Sequence, residues 1–244
     1  MAEHIFEVCA NSFTSAMAAQ EGGANRIELC AGLQTGGLTP SAAEIKLTIQ
    51  NLTIPVFVLI RPRGGDFLYS KYEFEVMKED ILYAKDSGAA GVVFGILNPS
   101  AEIDVERCAA LVNIAKPMHT TFHRAFDRVA DYSTALEDVI KTGAQRILTS
   151  GLSEKAADGK ALLKRLVKLA ENRISIMAGG GITPENVTEI ILQTGVNEVH
   201  ASCSAVMQSN MNPHFNNVAF TSNYQNTVTD VAVVKKMVAA IKQI

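Results

Sequence analysis

The sequence has no run of like charges and no large excess of either sign. Its 22 lysines and arginines stand against 25 aspartates and glutamates, which gives a formal net charge of −3. Binding to nucleic acids, or electrostatic binding to membranes, requires clustered lysine and arginine. We therefore expect no nucleic-acid partner and no membrane partner.

Long apolar runs and a basic leader are also missing. No stretch approaches the roughly 20 apolar residues that a membrane-spanning helix needs. The first four residues, Met1-Ala2-Glu3-His4, show neither the basic start nor the apolar core of a signal peptide. Cysteine is scarce, with four residues and no Cys-x-x-Cys pair, which excludes a disulfide scaffold and a structural zinc knuckle. We expect a reduced protein located in the cytoplasm.

What the sequence does contain is a repeated unit. Four segments begin at the end of a helical pattern, turn at a glycine and enter a short strand: EGGANRIELC (21–30), DSGAAGVVFG (86–95), KTGAQRILTS (141–150) and QTGVNEVHAS (193–202). Four more apolar strands are predicted at 4–9, 54–60, 118–122 and 174–178, and helical patterns fill the gaps. Eight strands that alternate with eight helices indicate parallel βαβ units.

The length of 244 residues fits one (β/α)8 barrel, for which about 250 residues are typical. We predict an α/β fold of the TIM-barrel class, with eight parallel strands in a single domain over residues 1–244. An open doubly wound sheet is the alternative, but no G-x-G-x-x-G motif follows the first strand to favour it. Thr183-Pro184 predicts the start of the helix after the seventh strand, with Thr183 as its N-cap.

Ionisable residues and thiols alternate with apolar residues on the first two strands. Arg26, Glu28 and Cys30 share one face of the second strand, and Glu7 and Cys9 share one face of the first. In a barrel we expect these faces to point inward, with the active site at the carboxyl ends of the strands. Side chains of alternate strands share interior layers, which predicts one layer of Glu28, Val93, Leu148 and His200 beneath another of Cys30, Gly95, Ser150 and Ser202.

The strand ends supply seven candidates for chemistry: Glu7, Arg26, Glu28, Arg61, His123, Asp127 and His200. A buried charge must be paired, and Arg26 and Arg61 can balance the carboxylates. One interpretation is a structural ion-pair plug. The other is an acid–base site in which a carboxylate or His123 moves protons and the arginines neutralise a small anionic metabolite.

Small residues follow the last three strands. In many barrels a phosphate binds between the loops after strands seven and eight, held by backbone N–H groups. The candidates for such an anion site are Ser150, Gly151, Gly180, Gly181 and Ser202. They predict a small anionic or phosphorylated metabolite as partner, although the glycines could equally form only a tight turn.

Two thiols on neighbouring strands raise the question of a metal. Cys9 and Cys30 are expected to face inward, and paired thiolates suit a soft ion such as Cu(I). Buried cysteine also packs as a small hydrophobic residue, so a purely structural role is the alternative.

Several long blocks resemble the copper homeostasis protein CutC family over about residues 3 to 206. They are FEVCANS, NRIELCAGLQTGGLTPS, VFVLIRPRGGDFLYS, TFHRAFD, RILTSG, IMAGGGI and EVHAS. The resemblance implies a cytosolic (β/α)8 barrel, a homo-oligomer, a role in copper homeostasis, and Cu(I) ligation by Cys9 and Cys30.

Two connections are longer than the others. Residues 61–72 follow the third strand and are predicted to form a mobile lid over the site. Residues 203–228 are rich in asparagine and too long for an ordinary connection. A short helix, a segment that wraps the barrel and an oligomer contact are all compatible with that stretch.

Overall fold

The computed structural model describes residues 4–208 and 225–244. In this part of the chain eight parallel strands pair in sequence order, and the eighth pairs with the first to close a barrel. The strands are β1 Ile5–Ala10, β2 Arg26–Leu29, β3 Val56–Leu59, β4 Gly91–Phe94, β5 His119–Phe122, β6 Arg146–Thr149, β7 Ser175–Gly179 and β8 Glu198–Ala201. The predicted (β/α)8 barrel is confirmed.

Helices surround the barrel and alternate with its strands. Within the described ranges they are α1 Phe13–Gly22, α2 Ala42–Asn51, α3 Lys71–Asp86, α4 Val105–Ala115, α5 Tyr132–Thr142, α6 Lys160–Ala170, α7 Val187–Thr194 and α8 Val231–Ile241. Short 3-10 helices follow β2 (Leu33–Thr35) and β5 (Arg124–Arg128). Polar N-caps explain several of the starts: the Ser41 hydroxyl accepts from the Glu44 amide at α2, and Ser70 forms a capping box with Glu73 at α3.

Helix α7 begins at Val187, later than the predicted start at Thr183-Pro184. The side-chain oxygen of Asn186 accepts a hydrogen bond from the Thr183 amide, and its side-chain nitrogen donates to the Gly181 carbonyl, both at 2.9 Å. These bonds fold the segment before the helix into a turn. The prediction of Thr183 as the N-cap was therefore wrong.

The strands separate two packed regions. Side chains such as Phe6, Val8, Ile27 and Leu29 are buried between the strands and the helices, in the large outer core. A second cluster, formed by Cys9, Cys30, Phe57, Leu59 and Val93, fills part of the barrel interior. The alternation on β1 and β2 thus turns their ionisable residues and thiols inward.

After β8 the chain forms an antiparallel pair, β9 (Ser204–Gln208) and β10 (Gln225–Thr229), which leads into α8. The pair is attached to the start of α1, since the Asn11 side chain donates to the Thr227 carbonyl and the Thr229 amide donates to the Ser15 hydroxyl. The middle of the 203–228 segment, where a short helix was one of the options, lies outside the described residues. Of the helices in residues 4–208 and 225–244, none is long and apolar enough to cross a membrane.

Candidate functional site

A layer of buried ion pairs crosses the middle of the barrel. Arg26 on β2 donates to Glu7 on β1 at 2.5 Å and to Glu198 on β8 at 2.6 Å, and Arg146 on β6 donates to the same Glu198 oxygen at 2.7 Å. The ring of Phe57 lies 5.0 Å from the guanidinium carbon of Arg26 and 5.4 Å from that of Arg146. We call these four charged residues and Phe57 the ion-pair layer.

The charges of the ion-pair layer compensate one another. Burial alone would raise the pKa of Glu7, but Arg26 and His200 outweigh it and hold that pKa at about 2. Burial likewise opposes ionisation of Glu198, whose pKa is nevertheless lowered by Arg146 and Arg26. Both carboxylates are therefore ionised at neutral pH, and each has a cationic partner. The layer forms a packed floor across the barrel interior.

A cavity of about 330 Å³ lies on the carboxyl-end side of this floor. This volume falls at the lower end of the range for small-molecule sites, about 300–1,000 Å³. Glu28 and His200 each follow a member of the ion-pair layer by two residues, which places them one step toward the strand ends. The lining residues used below are Cys9, Glu28, Arg61, Phe67, His123, Arg124, Gly180, Gly181, His200 and Ser202.

Glu28 is the carboxylate that faces this cavity. It is 4% exposed, and its Oε2 atom has no hydrogen-bond partner among the described residues. The nearest cation is His200, whose Nδ1 lies 3.9 Å from Glu28 Oε2 but bonds Glu7 Oε1 at 2.8 Å. Burial raises the pKa of Glu28 to about 7, although His200 and Arg26 oppose that shift. This carboxyl can exchange a proton near neutral pH.

His200 connects the floor to the cavity wall. Burial disfavours its charged form, but Cys9, Glu28 and Glu7 outweigh burial and raise the pKa of the imidazole well above its ordinary value. A cationic imidazole close to Glu7 and Glu28 attracts both carboxylates and offsets the repulsion between them. His200, Glu28 and Cys9 also bring their ligand atoms within 4.8 Å of one another.

The two thiols meet beside this group. Cys9 Sγ and Cys30 Sγ are 3.4 Å apart, on neighbouring strands. Cys9 lines the cavity, whereas Cys30 lies behind it and is fully buried. The hydrogen bond with Cys30, together with burial, raises the pKa of the Cys9 thiol well above its ordinary value. The Cys9 sulfur is therefore a neutral thiol at physiological pH.

His123 occupies the opposite wall, at the end of β5. Its Nδ1 accepts a hydrogen bond from the Ala125 amide at 3.2 Å, and its Nε2 is buried without a partner in the described structure. Burial and the nearby Arg61 lower the pKa of His123 to about 3, so the ring is neutral. The ring of Phe67, from the loop after β3, packs against His123 at 4.8 Å between centroids and so covers this wall.

A hydrogen-bonded brace holds the loops after β5 and β6. Asp127 accepts from Arg124 Nε at 2.6 Å, from the hydroxyl of Thr149 and from both the amide and the hydroxyl of Ser150. Arg124 Nη2 also donates to the Ser150 hydroxyl at 2.8 Å. Its other terminal nitrogen, Nη1, lies beside Gly180, where an added Cβ would come within 3.0 Å of it. The brace therefore aims one N–H group of Arg124 at the cavity rim.

The comparisons with known proteins agree with each other. The model of the CutC family matches residues 4–205. The chain belongs to the CutC family. It is 47% identical to the copper homeostasis protein cutC homolog of Homo sapiens over 98% of this chain and 90% of that protein, and 43% identical to a CutC family protein of Vibrio vulnificus strain CMCP6 over 98% of each. A crystal structure described as a CutC copper homeostasis protein from Streptococcus agalactiae matches with a TM-score of 0.78 and 37% identity, over 82% of this chain and 98% of that one.

In this CutC family member the cavity brings together most of the residues that the sequence singled out. Eight of them line it: Cys9, Glu28, Arg61, His123, Gly180, Gly181, His200 and Ser202. Gly180 and Gly181 have φ angles of +104° and +66°, which glycine adopts without strain. Both line the cavity and have no side chain to cover their backbone there.

The other predicted residues lie outside the cavity lining. Glu7 and Arg26 belong to the ion-pair layer, and Cys30 lies behind Cys9. Asp127 and Ser150 are engaged in the loop brace. The Gly151 amide is already bonded to Thr149 Oγ1 at 2.9 Å.

Arg61 corrects one expectation. The sequence suggested that it balances a buried carboxylate, but its guanidinium donates to the carbonyls of Thr35, Gly37 and Gly65, each at 2.9 Å. Arg61 lies two residues past the end of β3 at Leu59. From there its guanidinium bonds loop carbonyls and not the carboxylates of the ion-pair layer. Arg61 therefore closes the rim as a cation held by backbone oxygens.

Sequence reasoning missed Arg146, Glu198, Arg124 and Phe67. The signal for the first two was present, because Arg146 and Glu198 precede Leu148 and His200 by two residues and so share their inward face. The positions of Arg124 and Phe67 depend on loop conformation, which no alternation pattern predicts.

Proposed function

We propose that this chain binds Cu(I) as cargo through Cys9 and Cys30. The observation that carries the proposal is the 3.4 Å separation of the two sulfurs. Thiolates select soft ions such as Cu(I), and a metal–sulfur bond of about 2.3 Å, as found for zinc, lets one ion bond two sulfurs at this distance. The names of the human and Streptococcus relatives, which refer to copper homeostasis, support the same function.

The surroundings of the thiols fit a cargo site. An ion would reach them through the cavity, which Cys9 lines and Cys30 does not. Glu28 and His200 lie close enough to Cys9 to serve as further ligands of an ion bound by the two sulfurs. A cationic His200 would alternatively offset the negative charge of the two thiolates. Binding must displace the proton of the Cys9 thiol, since thiolates are the form that ligates metals.

We expect the Cys9→Ser/Cys30→Ser double variant to lose Cu(I) affinity by at least about 10²-fold, because hydroxyls are hard, weak ligands for this ion. The measurement is a competition titration of Cu(I) against a chromophoric Cu(I) chelator under anaerobic conditions. The matched control is Cys108→Ser/Cys203→Ser, which removes two other buried thiols and should leave affinity unchanged. Equal affinity in the wild type and the Cys9/Cys30 variant would exclude the two-thiolate site.

A second function is carried by a different observation, the unpartnered Oε2 atom of Glu28. We propose that the cavity also accepts a small anionic or phosphorylated metabolite on which Glu28 performs acid–base chemistry. A cargo site of two thiols has no need of the polar groups on the opposite wall, namely His123, Arg61 and Arg124. A buried acid with a free oxygen in a cavity of small-molecule size is typical of an enzyme site.

Inorganic phosphate and mixtures of phosphorylated metabolites should therefore raise the unfolding temperature in a saturable way. A ligand at one hundred times its dissociation constant stabilises a protein by about 2.7 kcal/mol. We expect Arg124→Gln to abolish the shift, while Arg165→Gln, which removes a guanidinium that packs over Tyr132, retains it. A complete absence of saturable shifts in the wild type would count against the metabolite site.

A homo-oligomeric state and a cytoplasmic location are also part of this proposal, as the family resemblance implies. Several large apolar side chains are exposed on α2 and α3 of the isolated chain, among them Leu47, Tyr72 and Val76. Such residues fit a subunit contact. Light scattering of the purified chain tests the oligomeric state, and a monomeric mass would contradict it.

A further inference from the structure

Unpartnered buried polar atoms are concentrated in the cavity. In the described residues six buried side-chain nitrogen or oxygen atoms have no hydrogen-bond partner, and three of them belong to cavity residues: Glu28 Oε2, Arg61 Nε and His123 Nε2. Most buried polar atoms in folded proteins are paired, because an unmade hydrogen bond costs about 1–3 kcal/mol. Their concentration here indicates a ligand that supplies the missing partners.

The proton position on His123 determines what it can offer. Because Nδ1 accepts a hydrogen bond from the Ala125 amide, the neutral ring carries its proton on Nε2. That nitrogen is therefore a donor, and it is the atom without a partner. Burial and the charge of Arg61 keep the ring neutral. A neutral imidazole N–H in a dry site donates to an oxygen on which negative charge develops.

Glu28 offers the complementary group. An ionised carboxylate only accepts hydrogen bonds, and Oε2 has none to accept from the described residues. It lines the same cavity as His123 Nε2, so a small molecule of suitable size touches both. A proton acceptor and an N–H donor that share one small cavity match the two ends of an H–C–C=O unit.

The third group is an anchor at the rim. Arg124 is fixed through Nε by Asp127 and through Nη2 by Ser150. Nη1 makes no hydrogen bond to the described residues and lies next to Gly180, where any side chain would obstruct it. The glycine backbone and this guanidinium together favour a negatively charged group.

We propose that the cavity binds a small carbonyl compound with one anionic end, and that Glu28 removes a proton from the carbon next to the carbonyl while His123 stabilises the enolate oxygen. The inference rests on the second function proposed above and names its substrate class and reaction.

The step balances without a cofactor. The C–H bond breaks and its proton passes to a Glu28 oxygen. The electron pair of that bond forms a C=C bond, and the former C=O π pair moves to the oxygen that accepts the hydrogen bond from His123 Nε2. Return of the proton to the same carbon gives exchange or epimerisation. When the carbon that loses the proton bears a hydroxyl, the hydroxyl proton passes to the enolate oxygen, and return of the abstracted proton from Glu28 to the former carbonyl carbon leaves a C=O bond at the hydroxyl carbon, which is isomerisation.

The test uses the full chain in D₂O and follows loss of the α-proton signal by ¹H NMR. The probes are pyruvate, with a carboxylate end, dihydroxyacetone phosphate, with a phosphate end, and neutral dihydroxyacetone. We expect the wild type to accelerate exchange of at least one anionic probe by 10²-fold or more over buffer and to act far less on dihydroxyacetone. The anionic probe that responds identifies the anchor as a carboxylate or a phosphate site.

Glu28→Gln should reduce the enzymatic exchange by about 10²–10⁴-fold, the usual contribution of a general base. Glu137→Gln, the same substitution on an exposed helix residue, should leave it unchanged. His123→Phe removes the N–H donor without touching Glu28 and should slow exchange by about 10²-fold, as loss of an oxyanion donor does. If Glu28→Gln fails to fold, His123→Phe decides the question.

The outcomes separate this inference from the function on which it rests. Saturable binding of an anionic probe without exchange would overturn the proton-abstraction step while leaving the metabolite site in place. Neither binding nor exchange with any probe would overturn both. Exchange that survives both Glu28→Gln and His123→Phe would overturn the assignment of these residues.

Discussion

Replacement of Arg26 by methionine is expected to lower the free energy of unfolding by about 3–5 kcal/mol, the usual cost of removing one partner from a buried ion pair. Arg26 bridges Glu7 and Glu198, and Glu7 has no exposed surface. Methionine fills much of the volume of the arginine side chain but carries no charge, so Glu7 and Glu198 each lose a cationic partner. Urea unfolding followed by circular dichroism measures the difference.

The matched control is Arg173→Met, which breaks an exposed pair with Glu137. Solvent screens such exposed pairs, which contribute little to stability, so this variant should remain close to the wild type. Equal losses for the two arginine variants would mean that the ion-pair layer does not stabilise the barrel.

The same layer predicts a pH dependence of stability. The pKa of Glu7 is lowered from its ordinary value of 4.5 to about 2 in the folded protein. Because the folded value is the lower one, the stabilisation is complete above pH 4.5 and is lost as the pH falls toward 2. We expect the free energy of unfolding of the wild type to decline through this window, and that of Arg26→Met to decline less steeply.

Gly91→Ala is the second substitution with a large expected effect. Gly91 faces the barrel interior at the start of β4, where an added Cβ would overlap the Phe57 ring and lie 2.7 Å from the His119 carbonyl oxygen. Phe57 is held between Arg26 and Arg146 and cannot move without disturbing them. Overpacking of this kind costs about 1–3 kcal/mol, and here we expect the upper end of that range.

Gly64→Ala provides the control for Gly91→Ala. At Gly64 the nearest atom to an added Cβ is Thr35 Cβ at 3.5 Å, an ordinary contact, so the stability should change by less than about 0.5 kcal/mol. Thermal or urea unfolding of the two variants measures the contrast. A wild-type-like Gly91→Ala would show that the interior can accommodate an additional methyl group.

The fold was largely predictable from the sequence because each βα unit repeats one local pattern. The glycine before β2, β6 and β8 ends a helix in the left-handed conformation. The regular alternation of short strands with helices then indicates a parallel sheet. The start of α7 was not predictable in this way. Asn186 takes the N-cap position without a capping bond from its side chain, which instead bonds the Thr183 amide and the Gly181 carbonyl and folds the preceding residues into a turn.

The candidate site was predictable only as far as strand alternation reaches. The alternation of side chains along a strand is sufficient to predict that Glu7, Arg26 and Glu28 point inward. It does not predict which of the two carboxylates pairs with Arg26. That choice follows from the register, in which Arg26 lies level with Glu7, so that Glu28, one step higher, is left with a free oxygen. Arg61 lies on a loop, where strand alternation does not predict the direction of a side chain.

The ion-pair layer makes the cavity a dead end, because its floor is closed by side chains that are almost wholly buried. Whatever enters past Phe67 and Arg61 must depart by the same route before another molecule takes its place. Cys9 and Glu28 line the same cavity, so a copper ion and a metabolite bound as proposed above would compete for it. Each proposed ligand would therefore act as an inhibitor of the other.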